Sequence, residues 1–191
     1  MKAKIIRSTL EYEGFVRIEK DLFQFERFGG GMSREVERFR YSRGDAVAVI
    51  IFDENRERVL LIRQFRNAVH ARTGDGWLIE CPAGMMEEGE TPAEVAFREV
   101  REETGLELDK IEPLTSYFFS PGGCSDQIHL FLGTLKDANQ ALGVHGLWEE
   151  GEEVLAEWVP LEQALRMVWH KQIIDAKAMI GILMLAHQRR N

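Results

Sequence analysis

The stretch Gly84 to Leu106 reads GMMEEGETPAEVAFREVREETGL and has the layout of a loop, a capped helix and a stop. Thr91 stands before Pro92, Ala93 and Glu94, which spells a helix start. The threonine hydroxyl can cap, proline at the first helical position loses no hydrogen bond, and Glu94 completes a capping box. Gly105 supplies the stop. Between these signals Val95, Phe97 and Val100 are expected to form the buried side. Glu99, Glu102 and Glu103, spaced three and four apart, place three carboxylates on adjoining surface one turn deep.

Like charges at i and i+4 destabilise a helix by about 0.2 to 0.5 kcal/mol per pair, so something should compensate. Arg98 lies four residues before Glu102 and can neutralise one carboxylate, leaving Glu99 and Glu103 as an acidic edge. Mg²⁺ takes one or two such carboxylates and completes its shell with waters and phosphate oxygens. For the helix alone, a solvated charged face explains the run equally well.

Upstream of this helix, Phe15 to Phe28 alternates well enough to read as a strand, Gly29 to Gly31 as a turn and Glu35 to Tyr41 as the returning strand. The arginines Arg38, Arg40 and Arg43 gather there beside Phe39 and Tyr41, a combination that suits phosphates and a base; a hairpin covering a sheet is the plainer reading. Ala46 to Phe52 (AVAVIIF) is apolar throughout and reads as a buried central strand. Val59 to Phe65 and Trp77 to Cys81 are further strands, the second delivering Pro82, Ala83 and Gly84 to the helix. A strand-to-loop-to-helix junction of this kind can add a backbone carbonyl to a set of carboxylate ligands.

Downstream, Leu114 to Phe119, Ile128 to Leu135 and Val154 to Val159 read as strands, and Leu161 to Trp169 and Asp175 to Arg190 as helices. The connection Lys136 to Glu153 is long and carries Glu149, Glu150, Glu152 and Glu153 among glycines. Long loops in compact domains are usually functional or disordered. From composition alone a solvated loop is the preferred reading of this one.

At 191 residues, 45% hydrophobic and 29% charged, the composition is that of an ordinary soluble globular protein. A net charge of -8 argues against general nucleic-acid binding, and it would repel a phosphate substrate until metal is bound. The two cysteines, Cys81 and Cys124, lie far apart, and the five histidines show no ligand spacing. No apolar leader and no run of eighteen apolar residues is present, so a cytoplasmic protein without a membrane span is expected.

Gly84, Glu90, Arg98-Glu99-Val100, Glu102-Glu103 and Gly105-Leu106 together resemble the Nudix box in all nine specified positions. The resemblance implies a Nudix hydrolase, an α/β protein folded as an α/β/α sandwich with a mixed sheet. Residues 1–43 would form an N-terminal antiparallel β appendage serving dimerisation and substrate contacts, and residues 44–191 the hydrolase domain. It also implies Mg²⁺ or Mn²⁺ held by Glu99, Glu103 and the carbonyl of Ala83, with Glu102 nearby and Arg98 orienting the acidic group.

Beyond the box, the chain is similar over nearly its whole length to the bacterial ADP-ribose pyrophosphatase subfamily. Pro121, fifteen residues after Leu106, RQFR (Arg63 to Arg66), SPGG (Ser120 to Gly123) and GVHGL (Gly143 to Leu147) carry that likeness. Hydrolysis of ADP-ribose to AMP and ribose 5-phosphate is implied. The alternatives are another nucleoside diphosphate sugar such as GDP-mannose, or a ligand sensor without catalysis. Arg66 would contact substrate, Met85 would lie beside the ribose, and Ser120, Pro121 and Gly122 would line the pocket. Phe15, Arg38 and Arg43 would complete the site of a partner subunit in a homodimer, while Phe39 stands where a polar residue is usual. The likeness aligns Glu150 with the general base and Glu152 with a metal ligand; a slip of one residue would substitute Glu149 and Glu153.

Overall fold

In the computed structural model residues 1–190 are described, Glu150 by its backbone only. The chain opens with β1 (Ala3–Glu13), β2 (Arg17–Phe25) and β3 (Val36–Ser42), which pair in that order as an antiparallel three-stranded sheet. β1 was not expected from the sequence. Irregularities in its pairing at Ile5/Arg7 and Leu10/Tyr12 shift its register, so the clean alternation of a strand is lost. Every residue of β1 is exposed. Asp21 is the buried polar group of this sheet, accepting hydrogen bonds from Ser8 Oγ (2.6 Å) and Arg40 Nε (2.9 Å). The bonds from Arg40 and then Ser8 hold its carboxyl below the usual range.

The rest of the chain runs β4 (Ala46–Asp53), β5 (Arg58–Phe65), α1 (Asn67–Thr73), β6 (Trp77–Glu80), β7 (Ala83–Met85), α2 (Pro92–Thr104) and β8 (Leu108–Phe118). It continues with β9 (Gln127–Leu135), β10 (Val144–His145), a 3-10 turn (Trp148–Glu150), β11 (Val154–Pro160), α3 (Leu161–Trp169) and α4 (Ala176–Gln188). Two compact units result. One is Met1–Asp45 with Phe118–Gln127; the other is Ala46–Tyr117 with the chain from Ile128 onward.

The larger unit is an α/β/α sandwich on a mixed sheet of order β10-β11-β5-β4-β9-β8, with β6 beside β5 and β7 beside β4. β4 runs parallel to β9 and antiparallel to β5 and β7. Because side chains alternate along a strand, β4 feeds both faces. Val47, Val49 and Ile51 pack with Val95, Ala96 and Val100 of α2. Ala48, Ile50 and Phe52 pack with Ala164 and Val168 of α3 and with Ala178, Ile182 and Leu185 of α4. α4 lies so close that a Cβ on Gly181 would come within 2.2 Å of Ile50. No helix among the described residues is long and apolar enough to cross a membrane.

Three sequence expectations change. Phe97 is 42% exposed and Ala96 takes the buried place beside Val95. α1 escaped notice because none of its residues is buried, so it carries no apolar period. β8 starts at Leu108, ahead of the expected Leu114; Pro113 inside it discourages a strand reading and is accommodated because β8 ends the sheet order.

Candidate active site

The capping box forms as its residues dictate: Glu94 N–H donates to Thr91 Oγ1 and Thr91 N–H to Glu94 Oε2. Gly105 ends α2 in the left-handed region at φ 68°. With Val95, Ala96 and Val100 turned into the sheet, Glu103 on the same side is only 3% exposed. β7 passes directly opposite, anchored to β4 where Val49 N–H meets the Pro82 carbonyl at 2.9 Å. Ala83 N–H then donates to Glu103 Oε2 at 3.0 Å. A Cβ on Gly84 would fall 1.7 Å from Glu99 Oε1, so glycine there makes room for the carboxylate.

Arg98 organises the acidic face differently from the sequence expectation. Its fork grips Glu90, Nε to Oε1 at 2.9 Å and Nη2 to Oε2 at 3.0 Å, and Nη2 also reaches the Met85 carbonyl at 3.1 Å. Nη1 donates to Glu99 at 2.6 Å and to Glu102 at 3.3 Å. Glu99 is therefore paired and not part of an unpaired edge. An arginine has five donors in a planar fork, enough to serve three carboxylates at once.

Burial pushes the Glu99 carboxyl up; Arg98 opposes this, and the charges of Glu102 and Glu152 add to it. Burial lifts Glu103 well above the usual range, against the Ala83 N–H bond and Arg66, with Glu99 and Glu152 raising it further. Glu103 is a hard oxygen donor in a low-dielectric setting with no cation paired to it, and carboxylates of this kind are donors that suit Mg²⁺ or Mn²⁺. Among the described residues no three acidic, histidine or cysteine side chains converge as a metal-binding group. Glu99 is turned onto Arg98 instead.

The acidic connection is strapped to the end of α2. Gly146 N–H bonds to the Glu102 carbonyl at 3.2 Å, and the His145 ring fills the space where a Cβ on Gly105 would sit. This places Glu152 within electrostatic reach of both Glu99 and Glu103. Glu149 and Glu153 are exposed. Glu150 ends the 3-10 turn, and its side chain lies outside the described residues.

A second charged group lies beside the first. Arg66 forks onto Glu80, Nε to Oε1 at 2.7 Å and Nη2 to Oε2 at 2.9 Å. Lys177 bridges Glu80 Oε2 (3.2 Å) and Asp175 Oδ1 (2.6 Å), and Asp175 caps α4 through Ala178 N–H. Burial pushes Glu80 up, but the Arg66 bonds and the Lys177 charge outweigh it and leave the carboxyl below its usual range. Burial likewise presses Lys177 to lose its proton, and Asp175 with Glu80 more than restores it. Sequence reasoning missed Glu80, Asp175 and Lys177 as a group. Its signal was Glu80 itself, a charge in the otherwise apolar strand WLIEC.

The remaining candidates sit in the smaller unit. The Arg43 guanidinium lies 4.2 Å over the Phe15 ring, and Phe15 is 79% exposed. Arg38 is exposed, donating to the Glu37 carbonyl. Ser120, Pro121 and Gly122 form a turn closed by Gly123 and Cys124 N–H on the Ser120 carbonyl, and Tyr41 N–H holds it at the Gly123 carbonyl. Asp126 fixes the adjoining strand end, accepting from Ser42 Oγ and from Arg43 N–H. Arg66, Ala83, Met85, Arg98, Glu99, Glu102, Glu103, Glu150 and Glu152 belong to the larger unit.

The larger unit is thus an α/β/α sandwich that gathers acidic groups at a strand-to-helix junction. Residues 42–178 match the NUDIX domain, and the chain belongs to the Nudix family as a Nudix hydrolase. It is 40% identical to the ADP-ribose pyrophosphatase of Escherichia coli (strain K12) over 96% of this chain and 88% of that one. The ADP-ribose pyrophosphatase of Haemophilus influenzae is 39% identical over 94% and 83%. The GDP-mannose pyrophosphatase of Klebsiella pneumoniae subsp. pneumoniae is 33% identical over 92% and 87%.

Proposed function

We propose that this chain hydrolyses the diphosphate of ADP-ribose, giving AMP and ribose 5-phosphate. The observation that carries the reading is the carboxylate cluster facing β7, buried Glu103 on the Ala83 N–H and half-buried Glu99 on Arg98, in a chain 40% identical to a protein named for this activity. Water adds to one phosphorus while the bridging phosphorus–oxygen bond breaks; the water proton passes to Glu150 and the leaving phosphate takes the electron pair. Glu99, Glu103, Glu152 and the Ala83 carbonyl would hold Mg²⁺ or Mn²⁺, Glu99 by turning from Arg98. Such an ion, when bound, neutralises the diphosphate and lowers the pKa of the attacking water. Arg98 keeps Glu102 and Glu99 oriented, and Arg66, Met85, Ser120, Pro121 and Gly122 contact substrate.

The protein acts as a cytoplasmic homodimer in which residues 1–43 lend Phe15, Arg38 and Arg43 to the partner's site. Supporting this is a first strand with no buried residue and with Ile5, Leu10 and Tyr12 roughly half exposed or more, apolar surface that a two-fold, self-complementary contact would cover. Assaying ADP-ribose, GDP-mannose and other nucleoside diphosphate sugars with Mg²⁺ tests the function. ADP-ribose should give the highest kcat/KM; preference for GDP-mannose, favoured by the 33% identical relative, would replace it.

A further inference from the structure

Arg66 forks onto one carboxylate as Arg98 does onto Glu90, but its remaining nitrogen is left over where that of Arg98 meets Glu99 and Glu102. The Arg66 backbone starts α1, with Val69 and His70 N–H on its carbonyl, and its own N–H on Gly76. Two of its three guanidinium nitrogens are taken by the two oxygens of one carboxylate. The third, Nη1, makes no hydrogen bond among the described residues, and the side chain is 38% exposed against 2% for that of Glu80. The guanidinium lies within electrostatic reach of Glu103, which sits on the Ala83 N–H of the strand next after β6. Behind the guanidinium, Glu80, Lys177 and Asp175 form an unbroken chain of ion pairs reaching the first turn of α4.

We propose that Glu80, backed by Lys177 and Asp175, is a positioning residue that aims the free edge of Arg66 at the substrate diphosphate; this rests on the function proposed above. A bidentate carboxylate fixes the guanidinium plane, and a buried carboxylate bridged to a second cation cannot turn away with it. Glu80 subtracts positive charge from the very group that meets phosphate, so its worth here is orientation. That gives the two possible roles opposite signs. Loss of Glu80 weakens diphosphate binding if it positions Arg66, and strengthens binding if it only offsets charge.

The experiment measures KM and kcat for ADP-ribose with Mg²⁺ in Glu80→Gln, Lys177→Met and each of these in an Arg66→Lys background, with thermal midpoints alongside. KM should rise about tenfold to a hundredfold in Glu80→Gln, the scale of losing an orienting partner one shell out. Lys177→Met should raise it less, and kcat should change little in either. In the Arg66→Lys background, which lacks the fork, neither change should move KM further. A fall in KM, or an equal factor in both backgrounds, overturns the proposal. If Glu80→Gln does not fold, the Lys177→Met pair decides by the same comparison. Wild-type turnover tests the function separately; should ADP-ribose not be cleaved, calorimetric Kd values for ADP, which carries the same diphosphate, replace KM.

Discussion

Glu80 on β6 and Glu103 on α2 are almost equally removed from solvent, at 2% and 3% exposed, and in chain order they flank β7, which carries Ala83. Glu80 is met by a guanidinium and an ammonium, and its carboxyl is held below the usual range. Glu103 is met by one backbone N–H, by the charges of Glu99 and Glu152 and, as a lesser influence, by that of Arg66, and it is raised well above that range. Burial is thus common to both; what separates them is whether the fold supplies the countercharge. Glu80 belongs to the framework, and Glu103 is left without a paired cation, which the metal role proposed for it would supply.

The difference can be broken most severely by chelation, which should abolish turnover reversibly. Added Mg²⁺ at a hundredfold excess over Kd should stabilise the wild type by about 2.7 kcal/mol, measured by denaturant unfolding. Glu103→Gln should lose both the activity and this response; a mutant still stabilised by Mg²⁺ would remove Glu103 from the metal set. Next in size, Glu150→Gln should lower kcat by about 10² to 10⁴ with KM little changed. A collapse in Glu149→Gln alone would move the base by one residue.

The comparison sharpens on stability. Removing one member of a buried ion pair typically costs about 3–5 kcal/mol, so Glu80→Gln should unfold at markedly lower urea than wild type. Glu103→Gln, which removes an uncompensated charge, should not be destabilised without metal. Because the folded pKa of Glu80 lies below its ordinary value of 4.5, its contribution is present above pH 4.5 and is lost as pH falls through the lower folded value. Acid titrations of urea midpoints should show that loss in wild type and not in Glu80→Gln. Smallest, Gly74→Ala forces a side chain into the left-handed region at φ 82°, where it meets no neighbour, costing about 1–2 kcal/mol without touching either glutamate.

Much of this was legible because local signals and global packing agree. Thr91, Pro92, Glu94 and Gly105 bound α2 where they should, and AVAVIIF could only be a strand buried on both faces. The spacing of the box carried the acidic centre. The ion-pair chain was not legible, since Arg66, Glu80 and Lys177 lie far apart in sequence and only the pairing of β6 with β5 and the approach of α4 bring them together. The grip of Arg98 on Glu90 eluded a helix-only reading for the same reason. Glu90 precedes the helix, where i and i+4 spacing does not apply. β1 was hidden by register shifts that remove the period a strand is recognised by.

The two-sidedness of β4 also bears on how this protein can change over evolutionary time. Deleting or inserting one residue within Ala46–Asp53 would exchange the side chains facing α2 with those facing α3 and α4. Ile50 would leave the notch at Gly181, and Val47 and Val49 would leave the floor beneath α2. Substitutions among aliphatic residues there are survivable one at a time, but a change of length is not. Relatives should therefore differ in length at the turn before Glu57 or in the stretch 136–143, while the strand itself keeps its eight residues.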